Sequence, residues 1–100
     1  MASYRLTEDA LQDLRELKGF SLKQFGGLVT REYLAAMRIT IQHLANMPDI
    51  GADESELLLT GLKSFPYMSH MLYYQKIESG IVIIGILHQS RLPVVLTKRR

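Results

Sequence analysis

No cysteine occurs among the 100 residues, which excludes disulfides and thiolate metal sites and suits a reducing cytoplasm. No apolar run approaches the roughly eighteen residues that a membrane span needs. Arg5, Glu8, Asp9 and Asp13 interrupt any apolar core that a signal peptide would require. Internal repeats and low-complexity segments are also missing, so we expect residues 1–100 to form a single domain. Acids are scarce in one half only. Residues 1–60 hold six Lys and Arg against nine Asp and Glu, whereas residues 61–100 hold six against Glu78 alone. That second half is expected to be sheet and tail, a basic surface suited to an acidic partner. Lys98, Arg99 and Arg100 either belong to that surface or form a solvated end.

What is present is organised around Gly80-Ile-Val-Ile-Ile-Gly-Ile-Leu-His-Gln-Ser90. Apolar residues stand at odd and even positions alike, the pattern of a strand covered on both faces, and we read it as the central strand. Residues 70–77 form a second strand, joined to it by Glu78, Ser79 and a left-handed Gly80. Pairing Ile77 with Ile81 sets His70 roughly opposite His88, within the one-residue slip that a bulge introduces.

Residues 3–6 read as a short first strand and Thr7 as a helix N-cap. A first helix carries Leu11, Leu14, Leu17, Leu22 and Phe25 on its inward stripe. It bends, or is closely packed, at Gly19, and stops at Gly26-Gly27. A second helix, from about residue 29 to Met47, turns Tyr33, Leu34, Met37, Ile41 and Leu44 inward and leaves His43 in solvent. Residues 48–56 form an acidic loop whose Asp49, Asp53, Glu54 and Glu56 do not match a calcium-loop pattern, and no metal is expected there. Leu57-Leu-Leu59 should dock on the core edge or on a partner. Residues 61–67 read as a strand with Lys63, Phe65 and Tyr67 on one face, and residues 91–97 as an extended segment.

Tyr4-Arg-Leu-Thr-Glu-Asp-Ala-Leu-Gln-Asp-Leu14, Ser21-Leu-Lys-Gln-Phe-Gly26, Asn46-Met-Pro-Asp-Ile-Gly51, Gly61-Leu-Lys-Ser-Phe-Pro66 and Ile86-Leu-His-Gln-Ser90 resemble, in order and spacing, the ParE branch of the RelE/ParE superfamily. Its members are toxins of bacterial type II toxin-antitoxin pairs. The resemblance implies an α+β fold: an N-terminal strand, then an antiparallel helical hairpin packed on a mostly antiparallel sheet of about four strands. It further implies a cytoplasmic, non-enzymatic protein that binds and inhibits DNA gyrase and is neutralised by a ParD-like antitoxin. No cofactor, membrane or sequence-specific nucleic acid is implied, and a homodimer is left open. Target or antitoxin contacts would fall to Lys63, His88, Arg91, Lys98, Arg99 and Arg100. The related RelE branch cleaves messenger RNA on the ribosome, a reaction that needs a proton acceptor, a proton donor and a cation. Here His70, His88, Lys63 and Arg91 would supply them, although Gln89 stands where that branch commonly has an aromatic or basic residue. Two histidines at a sheet end are also read as hydrogen-bonded structural residues. A degenerate relative that only binds an antitoxin is a third possibility. The chain departs from the ParE pattern at Leu59-Thr-Gly-Leu-Lys63, where Arg-Pro-Gly-Leu-Arg is usual, and at its C-terminal end.

Overall fold

The computed structural model describes residues 2–55 and 60–99. The expected docking segment Leu57-Leu-Leu59 and the cation Arg100 lie outside them. β1, Ser3–Leu6, passes through Thr7 into α1, Glu8–Asn46. Thr7 is extended and its Oγ1 accepts from the Ala10 amide at 3.1 Å, while Glu8 and Asp9 sit against the positive end of the helix.

The expected pair of helices separated by a glycine turn is corrected to one helical element broken at a single residue. Gly26 takes φ 83° and ψ 177°, a conformation essentially confined to glycine. Straight, 39 residues would extend about 58 Å at 1.5 Å per residue. The longest dimension of the molecule is only 37 Å. Across the break Ser21 Oγ and Thr30 Oγ1 approach to 2.6 Å, atoms nine residues apart that a straight helix would hold far from each other. Because Thr30 donates to the Gly26 carbonyl at 2.9 Å, Ser21 is the donor of that pair, and the two hydroxyls staple the break. Gly19 neither bends the helix nor touches anything where a Cβ would stand. Leu22 and Phe25, expected inside, are exposed.

Beyond α1 come a 3-10 turn, Pro48–Ile50, and four strands: β2, Ala52–Asp53; β3, Leu62–Tyr67; β4, His70–Ile77; and β5, Gly80–His88. The sheet order is β1-β5-β4-β3-β2, with β1 parallel to β5 and the other pairs antiparallel. The centre is therefore β4, with β5 an interior strand beside it. β2 falls in what reads as acidic loop, because two residues are too few to leave a period. The β4–β5 loop is Glu78-Ser79, with Ile77 opposite Gly80 rather than Ile81. Gly80 has φ 152°, and a side chain there would collide with the Ser3 carbonyl of β1. A one-residue irregularity at Tyr73/Tyr74 then restores His70 opposite His88.

The two-sided pattern of β5 has two cores to serve. On one face Ile81, Ile83 and Ile86 pack with Leu72, Tyr74 and Tyr67 against Ala10, Leu17, Met37, Ile41 and Leu44 of α1. On the other, Ile84 and Leu87 pack with Leu62, Tyr73 and Leu96. Burying each such aliphatic side chain stabilises by about 1.5–3 kcal/mol. Leu96 belongs to a 3-10 helix, Pro93–Lys98, where an extended segment is expected; proline suits its first turn because no amide partner is needed there.

Candidate functional site

β1 ends at Leu6, opposite Ile83, so the rest of β5 has no strand on that side. Side chains take over. Asp13 of α1 accepts from the Ile86 amide at 3.0 Å, and Arg99 Nη1 donates to the Ile84 carbonyl at 3.0 Å. The two close on each other in a forked pair, Nη1 to Oδ2 at 2.6 Å and Nη2 to Oδ1 at 3.0 Å. The Arg99 side chain is only 12% exposed. Hydrogen bonding to Asp13 holds its pKa above the ordinary arginine value, outweighing the opposing effect of burial. Arg99, expected as a free basic residue, is thus a structural clasp, and Gly85 leaves the space through which it passes.

Asp13 also stands at the buried end of a groove of about 600 Å³ between α1 and the far end of β4 and β5. Leu17, Ile86 and Tyr33 line its walls; Phe20, Phe25 and Val29, beside the Gly26 break, form its exposed end. His70, His88 and Arg91 lie along the same groove. The tight turn Met68-Ser69 brings His70 back opposite Tyr67. There the two histidine rings meet edge to face, 5.4 Å between centroids. Tyr33 meets His70 similarly at 5.8 Å and Tyr67 at 5.1 Å.

Hydrogen bonds fix these rings. Tyr67 donates its hydroxyl to the Tyr33 carbonyl at 2.7 Å, and burial raises its pKa. Tyr33 Oη lies 2.7 Å from His70 Nδ1; a phenol being the better donor and an imidazole nitrogen the better acceptor, Tyr33 gives the proton. His88 Nδ1 accepts from the Ser90 amide at 3.1 Å, which a backbone N–H can only donate, so the neutral His88 ring carries its proton on Nε2. The Ser90 hydroxyl lies 2.8 Å from the same nitrogen. Burial, and then the neighbouring His88, lower the His70 pKa from 6.5.

Of the residues expected to act together, the structure gathers His70, His88 and Arg91 and leaves Lys63 out. Lys63 pairs with Tyr74 and Asp53, four residues along β3 from Tyr67, or about 13 Å at the rise of a strand. Lys98 is exposed at the end of the last 3-10 helix. Sequence reasoning missed Tyr33, placed in the core but bound to His70, and Ser90, whose spacing two residues after His88 was the available signal. It also missed Asp13 and the exposed Phe20 and Phe25. Among the described residues no three His, Asp or Glu side chains are grouped as metal ligands, and no helix is long and apolar enough to cross a membrane.

With that geometry in place, three comparisons bear on the chain. Residues 4–93 match a family model described as ParE toxin of type II toxin-antitoxin system, parDE. The chain is 30% identical over 90 residues to Toxin ParE1 of Caulobacter vibrioides, covering 90% of this chain and 92% of that protein. Its fold is similar to that of a solved structure of the chromosomal ParDE TA system from P. aeruginosa, with a TM-score of 0.72, 16% identity, and 88% and 96% of the respective chains covered.

Proposed function

The chain belongs to the ParE toxin family of type II toxin-antitoxin systems, and from that premise we propose that it acts in the cytoplasm without catalysis, by binding and inhibiting DNA gyrase. A ParD-like antitoxin neutralises it; the structural neighbour, a ParDE system, supports such a pairing. The observation that carries this reading is the exposed end of the groove. Phe20 and Phe25 are 64% and 63% exposed, with Leu28 and Val29 beside them, a patch suited to a protein partner rather than to water. Lys18, Lys23 and Arg31 flank it, and residues 17–31 contain no acid. An amphipathic antitoxin segment with acidic side chains would lay its apolar face along the groove and its charges towards these cations, Arg91 and Lys98.

RNA cleavage asks for an acceptor, a donor and a cation at one phosphate. Lys63 stands apart and Arg99 is clasped, which favours binding over catalysis. One observation favours the endoribonuclease alternative, the packed His70–His88 pair beside Arg91. A supercoiling assay with purified protein separates the two. Inhibition of gyrase at micromolar toxin is the expected result. An unaffected gyrase, together with messenger RNA cut during translation and protected by His88→Ala, would transfer the protein to the RelE-like activity. Continued growth on overexpression would identify a degenerate relative instead.

A further inference from the structure

Both histidines at the groove present the same chemistry. Each has its Nδ1 occupied, by Tyr33 in one case and Ser90 in the other, and neither Nε2 has a partner among the described residues. With Nδ1 accepting, the proton of the neutral ring stands on Nε2, so both rings have an N–H left to donate. Arg91, exposed and without an ion-pair partner among the described residues, lines the same groove. We propose that His70, His88 and Arg91 form a carboxylate-binding site along the sheet side of the apolar groove. It would take an Asp, Glu or terminal carboxylate of a partner polypeptide whose neighbouring aromatic or aliphatic side chain lies among Leu17, Phe20, Phe25 and Val29. This deepens the reading of the groove as a protein-binding surface and rests on it.

Charge decides between a carboxylate and a phosphomonoester or inorganic phosphate. The permanent positive charge of the site comes from Arg91 alone, and each ring adds one Nε2–H donor. Asp13, the buried carboxylate of the groove, is already neutralised by Arg99, while Glu16 adds a negative charge to the wall. Lys63, the remaining basic candidate on the sheet, is elsewhere. A monoanion balances this set, whereas a dianion would be left with unmatched charge beside apolar walls, where an unpaired charge is costly. The T-shaped packing of the rings on each other and on Tyr33 holds the donors in place before any ligand arrives. Less ordering is then required on binding.

The test uses the whole protein, labelled with nitrogen-15, and four small probes: 3-phenylpropionate, its uncharged amide, acetate and inorganic phosphate. Ring nitrogens of His70 and His88 are followed by long-range proton–nitrogen spectra near neutral pH. Phenylpropionate should shift both Nε2 signals saturably and bind at least about tenfold more tightly than the amide or acetate, the gain expected of a charge-assisted hydrogen bond combined with an apolar anchor. His88→Gln and Arg91→Gln should each bring the carboxylate down to the level of the amide. Both positions are exposed, and the backbone amide spectrum verifies that each variant is folded. Phosphate binding as tightly as phenylpropionate would make this a general anion site and overturn the proposal. Silent rings would overturn it outright. If a ParD-like antitoxin binds the wild type and His88→Gln equally, this site fails while the toxin–antitoxin reading stands. If the rings respond as expected but neither antitoxin nor gyrase is bound, the failure belongs to that reading instead.

Discussion

The two ends of the groove hold charges of similar type in opposite circumstances. At the buried end, Asp13 and Arg99 satisfy each other and the loose edge of β5. At the exposed end, Lys18, Lys23, Arg31 and Arg91 have no ion-pair partner among the described residues and stand near uncovered Phe20 and Phe25. The difference separates stability from recognition: where the charges are paired and dry they hold the fold, and where they are wet beside apolar surface they are available to a partner.

The largest test of that division is Asp13→Ala. It removes the forked partner of the Arg99 guanidinium, leaving it the Ile84 carbonyl and Asp9 at 3.8 Å, and leaves the Ile86 amide unpaired; we expect a loss of about 3 kcal/mol, read as a lower denaturant midpoint at unchanged slope. Removal of residues 98–100, a natural way to probe a basic end, would incur much of the same penalty because it takes Arg99 with it. Gly26→Ala comes next. Nothing lies within 4 Å of the added Cβ, so the effect is conformational alone. It should cost about 1–3 kcal/mol, or straighten the helix and dissolve the exposed end, which a loss of partner binding beyond the stability change would reveal.

A smaller effect sits between the two ends. Because burial lowers the His70 pKa, the unfolded chain takes up a proton first as the pH falls through 6.5. Stability should therefore decline from there down to the folded pKa and level off below it. His70→Asn should flatten this part of a melting-temperature profile between about pH 7.5 and pH 5. The least effect on the fold belongs to Arg91→Gln, within about 0.5 kcal/mol. If recognition resides at the exposed end, that variant should still associate more slowly with its acidic partner and with a flatter salt dependence. Unchanged association would remove Arg91 from the steering charges.

These contrasts were unequally legible in the sequence. The two-faced pattern of Ile81 to Leu87 identified the strand that both cores share, and the facing of His70 and His88 followed from strand length and loop position. The inward face of Met37, Ile41 and Leu44 was equally readable, because periodicity reports burial directly. It reports the wrong thing at Leu22 and Phe25, whose apolar spacing marks an unpartnered surface rather than a core. Gly26-Gly27 signalled an interruption without saying that one residue would make it. Arg99 could not be read at all, since nothing local distinguishes it from Lys98 and its partner lies 86 positions away. Lys63 shares a face with Tyr67, but a shared face does not bring it within reach of the histidines.

The parallel pairing of β1 with β5 has a consequence for the ribosome that makes the chain. Ser3 finds its partner only at Gly80, and Leu17, Met37 and Ile41 find the isoleucines that cover them only when β5 has emerged. A nascent chain in which β5 is still in the exit tunnel carries a helix with an uncovered apolar stripe and no sheet to close on it. Folding must await contacts of long sequence separation, the slow kind. Until β5 has emerged, then, the groove has no second wall, and the surface it forms with α1 cannot exist.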